Sequence, residues 1–213
     1  MGTDNFFNEY IVQGGLTMLV LVPLSIYTFG LIIQKYLELR RSKIISQEII
    51  ERAQRVSSQA SFEEFYAFLK NKPTPLANIV IGYIELGLRG ESTNPDEDLT
   101  PIDDEAEYLY QSLSPISTSY VVAPLIGVLG TTVGIMGTFK QFAMVGKRDM
   151  GALVSAIDKS LITTMWGLFI AVPAYFFFSA LQSKIFFYER KIFPALVKDI
   201  MKDLRPFIPN KST

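Results

Sequence analysis

The 213-residue chain is 49% hydrophobic with a net charge of −1, and its apolar residues are gathered in blocks rather than spread as in a soluble domain. It contains neither cysteine nor histidine, which excludes disulfides, thiolate chemistry, Cys/His zinc sites, His-based triads and histidine proton relays. Any ion handling is left to carboxylates, hydroxyls and water, and the near-neutral charge gives no nucleic-acid footprint.

A hydrocarbon core about 30 Å thick needs about 20 mostly apolar helical residues. The uncharged runs Tyr10–Gln34, Tyr108–Phe139 and Ser160–Ser183 all reach that length. They predict an all-α membrane protein with three transmembrane helices and long helical cytoplasmic extensions. The segment before the first run carries Asp4 and Glu9 without a lysine or arginine, so the run is expected to remain as an anchor rather than act as a signal peptide. Lys35, Arg40, Arg41 and Lys43 follow the first run, and Lys184, Arg190 and Lys191 follow the third. The positive-inside rule then places residues 1–9 outside and both basic flanks in the cytoplasm. On this reading the spans cover 10–34, 108–139 with a cytoplasmic extension, and 153–183. Residues 35–107 form a cytoplasmic helical region, 140–152 an outer loop with Lys140, Lys147 and Arg148, and 184–213 a cytoplasmic helix and tail.

Within the first soluble region, Ile45, Ile49, Ile50, Val56, Phe62, Phe65, Phe68 and Leu69 recur at helical spacing and predict an amphipathic helical stretch over 42–70. After Pro73–Pro75, "LANIVIGYIELGLRG" predicts a helix ended by Gly90, and 91–107 an acidic loop leading into the next helix. The acid run lacks the spacing and turn glycine of a calcium loop, which favours a solvated surface over a metal site. The tail is expected to continue helically from Lys184 until Pro206 and Pro209.

The second run contains "GVLGTTVGIMGTF". At about 100° per residue, Gly127, Thr131, Gly134 and Thr138 share one sector, Gly130 and Gly137 lie beside it, and Thr132 points elsewhere. Small residues allow helices to approach closely in lipid, and threonine can return its hydroxyl to the preceding turn, so helix packing explains the glycines. In the third run Ser160, Thr164, Gly167 and Ala171 share a small, polar face, while Ile162, Trp166 and Phe169 make a bulky face suited to lipid. Pro173 frees a backbone carbonyl and predicts a kink. Thr131 precedes Lys140 by nine residues and Thr164 follows Asp158 by six, which sets both about 9–14 Å below the outer helix ends. These hydroxyls could line a polar path with Ser160 and Thr163 in support and the Asp158–Lys159 pair as a mouth, or as an interfacial anchor. A hydroxyl does not store a proton at physiological pH, so a titrating acid would have to come from another chain.

"PLIGVLGTTVGIMGTFKQF", "SLITTMWGLFIAVPAYFFFS" and "IIQKYLELRRSK" resemble the second span, the third span and the basic exit of the first span of the ExbB/TolQ/MotA proton-channel family. The three-span layout is similar to its ExbB/TolQ branch. The resemblance implies a homopentameric ring around a dimer of an ExbD/TolR/MotB-like single-span partner whose membrane aspartate carries the ion, with a TonB/TolA-like transducer as a further partner. It also implies a bacterial inner-membrane location and makes Thr131 and Thr164 the ring hydroxyls that face that aspartate. Lys159 departs from the family, which commonly has a glutamate there. The transported ion is expected to be a proton, with sodium left open because Thr163 adds an oxygen ligand; no cofactor, metal or nucleic acid is expected, and membrane lipid is. The alternative is a non-conducting membrane scaffold that assembles partner helices. An enzyme finds no nucleophile–base pair, metal cluster or phosphate loop in the sequence.

Overall fold

The computed structural model describes residues 17–145 and 150–208. Asp4, Glu9, the start of the first run at Tyr10, Lys147, Arg148 and Pro209 lie outside the described residues, as does the side chain of Lys159. The helices are α1 (Met18–Glu38), α2 (Arg41–Ile44), α3 (Gln47–Gln54), α4 (Gln59–Asn71), α5 (Pro75–Arg89), α6 (Thr100–Gln111), α7 (Ser114–Val145), α8 (Met150–Phe187) and α9 (Phe193–Leu204). A π turn, Tyr188–Ile192, precedes α9, and a 3-10 turn, Arg205–Phe207, follows it. Every regular element among the described residues is helical. Three helices, one each within Met18–Glu38, Thr100–Lys140 and Ser160–Phe207, are long and apolar enough to cross a membrane. The chain divides into two compact units, Met1–Gln34 with Ser114–Ser179 and Lys35–Leu113 with Ala180–Thr213.

In the first unit, Met18, Leu21, Ala123 and Ile170 form a small buried cluster against which Leu24, Ile126, Ile162 and Trp166 pack. This corrects the expectation that Ile162 and Trp166 face lipid. Phe169 does lie outward at 62% exposure, with Leu125, Val128, Leu129 and Val133 on α7 also exposed. An apolar exterior of this extent is what a helix surrounded by lipid or other helices presents.

The second unit has its core along α5, where Leu76, Ile79, Val80, Tyr83 and Ile84 are buried. Phe193, Val197, Ile200 and Leu204 form one stripe of α9, which packs on α3 and α5. Thr74 caps α5 by accepting from the Ala77 amide at 3.3 Å, Pro75 occupies its first turn, and Gly90 ends it at φ 81°, a left-handed conformation that glycine takes without a Cβ clash.

Tyr83 is fully buried and donates its hydroxyl to the Asp98 carbonyl at 2.6 Å, tying the acidic loop to the core. Burial keeps its phenol above the ordinary tyrosine range, so it stays a neutral donor. Tyr83→Phe is expected to cost about 1 kcal/mol, read as a lower midpoint in thermal unfolding of the solubilised chain. An unchanged midpoint would mean that water replaces the phenol at that carbonyl.

Several boundaries differ from those expected. The 42–70 stretch is three helices, because extended backbone at Ser46 and Ser58 interrupts it; the Ser58 hydroxyl then caps α4 by accepting from the Ser61 amide at 3.2 Å. Residues 91–107 are not one loop: Asp98 accepts from the Thr100 amide at 2.8 Å, Pro101 sits in the first turn, and the chain is helical from Thr100. The second run is interrupted at Ser112–Leu113, just before Pro115, whose missing N–H cannot continue the bonding of α6. The tail is helical to Leu204, but Pro194 cannot donate to the Arg190 carbonyl, and the Phe193 amide bonds back to Tyr188 in the π turn. That turn buries Glu189, which accepts from the Tyr110 hydroxyl and from Arg190 Nε, each at 3.0 Å.

Candidate functional site

Where α7 meets α8, glycine lets backbone touch backbone. A Cβ added at Gly167 would stand 2.6 Å from the Ala123 carbonyl oxygen and 3.2 Å from Pro124 Cα. One added at Gly127 would stand 2.8 Å from the Thr163 carbonyl oxygen and 3.0 Å from Thr164 Cα. At Gly130 it would meet Thr17 Oγ1 at 2.8 Å and Thr163 Oγ1 at 2.9 Å, and at Gly134 it would run into Ser160 Oγ. Gly137 has nothing within 4 Å among the described residues, so the expected packing role is not found there among them.

This close approach brings the hydroxyls together. Thr131 Oγ1 is in hydrogen-bond contact with Thr164 Oγ1 and lies 3.1 Å from the carbonyl oxygens of both Gly127 and Ser160. Thr163 Oγ1 is 3.4 Å from Thr131 Oγ1, 2.8 Å from the Ser160 carbonyl oxygen and 3.1 Å from that of Gly127. Each hydroxyl has one proton, so these are alternative donations among which the cluster can switch by rotating C–O bonds. Thr131 and Thr164 are half-buried, whereas Thr163 is only 2% exposed. The last is therefore closed off by the helix contact, and the other two keep an open side.

The other threonine hydroxyls of α7 bond within their own helix, Thr118 donating to the Ser114 carbonyl at 3.0 Å. Thr132 donates to Val128 and Thr138 to Gly134, at 3.0 and 2.9 Å. Ser160 is buried at the contact, Asp158 is exposed, and Pro173 is half-buried. Thr17, which sequence reasoning did not select, joins this neighbourhood through Gly130. Its place near the start of the first apolar run gave no signal of depth. No carboxylate is part of the cluster, and among the described residues no group of acidic side chains could hold a metal ion. What the arrangement can do is donate to, or accept from, a group brought to its open side.

Residues 97–192, which hold Thr131, Thr163 and Thr164, match the MotA/TolQ/ExbB proton channel family. Over that stretch, a little under half of its length, the chain is similar to this family. It is 26% identical over 172 residues to an ExbB homologue of Methanothermobacter thermautotrophicus, covering 79% of this chain and 61% of that one. A biopolymer transport protein of the ExbB-like 1 type from Helicobacter pylori is 35% identical over 89 residues, 42% of this chain and 44% of its own. The Tol-Pal system protein TolQ of Pseudomonas aeruginosa is 27% identical over 173 residues, 75% of this chain and 74% of its own. The chain thus spans between two fifths and two thirds of the length of the first two relatives.

Proposed function

We propose that this protein is a ring subunit of an ion-driven motor in a bacterial inner membrane, with its N-terminal side outside and its basic flanks in the cytoplasm. The observation that carries the reading is the Thr131–Thr164 hydroxyl pair, half-open in a cluster that includes no carboxylate among the described residues. A carboxylate on a single-span partner would accept a hydrogen bond from this pair when ionised and donate one when protonated. Five copies around two partner helices would present such a pair to each acid in turn. The transmembrane potential supplies about 2.3 kcal/mol per charge per 100 mV to drive that exchange. Protons are the first choice of ion, with sodium the alternative; a TonB/TolA-like transducer would carry the work onward.

Native mass spectrometry of the complex, extracted gently from its own membrane, tests the assembly. Five copies of this chain with two of a single-span protein bearing a membrane carboxylate are expected. A homo-oligomer alone, recurring across mild detergents, would leave the hydroxyl pair without an acid and favour a scaffold. The packing of Gly127 and Gly167 against backbone suits that second reading too, so the two separate on the missing acid.

A further inference from the structure

The chain leaves α1 at Glu38 and turns through Arg40 into α2 and α3. Arg40, Ser42, Ile45, Ser46 and Gln47 line a cavity of about 690 Å³ there. We propose that this cavity holds the phosphate of an anionic phospholipid headgroup.

Ser46 stands at the N-cap of α3 with extended backbone, where a serine ordinarily accepts from an amide of the first turn, yet it makes no such bond. The residue is 8% exposed, its hydroxyl makes no hydrogen bond among the described residues, and it lines the cavity. The Ile49 amide closes on the Ser46 carbonyl at 3.1 Å, leaving the amides of Gln47 and Glu48 at the open, electropositive helix end. Arg40 adds an exposed guanidinium that forms no ion pair among the described residues. The carboxylate of Glu48, the one acid in that first turn, is engaged by Arg52 at 3.0 Å and by Lys72, so its charge is already met.

A hydroxyl, helix-end amides and a guanidinium around one cavity are the donor set of a phosphate site. The source of the phosphate follows from position. Arg40 comes two residues after the end of a helix long and apolar enough to cross a membrane, which is headgroup depth on whichever side that end lies. Ile45 gives the cavity an apolar wall.

The test titrates the full-length solubilised protein with dioctanoyl phosphatidylglycerol and reads bound lipid by native mass spectrometry. Arg40→Gln and Ser46→Ala are each expected to weaken binding about 5–10-fold, and phosphatidylcholine of the same chain length to bind about tenfold more weakly. Lys43→Gln, which removes an exposed cation that does not line the cavity, is expected to change binding less than about twofold. Should Ser46→Ala fail to fold, Arg40→Gln on the protein surface carries the test. Wild-type affinity in Arg40→Gln, equal losses in Arg40→Gln and Lys43→Gln, or no preference over phosphatidylcholine would each overturn the site. Displacement by an equal concentration of glycerol 3-phosphate would overturn the lipid assignment in favour of a soluble phosphate.

Discussion

Gly167→Ala is expected to destabilise the first unit by about 1–3 kcal/mol, because the added methyl has no free space to enter. The nearest atoms are the Ala123 carbonyl and Pro124 Cα, which are backbone and cannot rotate away, so α7 and α8 must part. Gly127→Ala is expected to act in the same direction, against the carbonyl of Thr163 and the Cα of Thr164. Gly134→Ala should cost less, since its obstacle is the side chain of Ser160. Gly137→Ala, with nothing within 4 Å, should be neutral or slightly stabilising, as alanine is the better helix former. Thermal unfolding of the solubilised protein and the yield of folded complex rank the variants. If Gly167→Ala matched Gly137→Ala in both, backbone contact at Ala123 would not constrain this helix pair.

Why some of this was legible and some not comes down to what each residue type responds to. The glycine face of α7 could be read from periodicity because close packing demands a missing side chain and helical geometry fixes its spacing. Gly137 satisfies the same period yet touches nothing among the described residues, and periodicity cannot tell the two cases apart. Ile162 and Trp166 were misassigned for a similar reason: an apolar side chain suits lipid and protein interior equally, so hydropathy does not say which way a membrane helix turns. The pairing of Thr131 with Thr164 followed from counting depth from the flanking charges, whereas the deep burial of Thr163 depended on the rotation of α8. The interruptions before Pro115 and Pro194 carried their own signal, a missing N–H inside a long run. Glu189 had none, since a glutamate in a basic flank reads as surface until Tyr110 is brought beside it.

Thr131→Val and Thr164→Val are expected to abolish potential-driven ion uptake in vesicles carrying the whole complex, while the complex itself still assembles. Valine keeps the β-branched shape, so packing is retained and only the hydroxyl is lost. The stability cost should be about 1 kcal/mol or less, because the Gly127 and Ser160 carbonyls also stand within bonding distance of Thr163. After Thr164→Val, Thr131 still reaches those carbonyls at 3.1 Å, which makes this the cleaner variant structurally. Thr163→Val should do the opposite: its buried hydroxyl serves the helix contact, so folding suffers along with transport. Thr131→Ser restores the hydroxyl without the methyl and should recover part of the flux, which a pure packing role does not predict. Wild-type uptake in intact Thr131→Val and Thr164→Val complexes would reduce the pair to a packing detail and remove the reason for placing a partner's acid beside it.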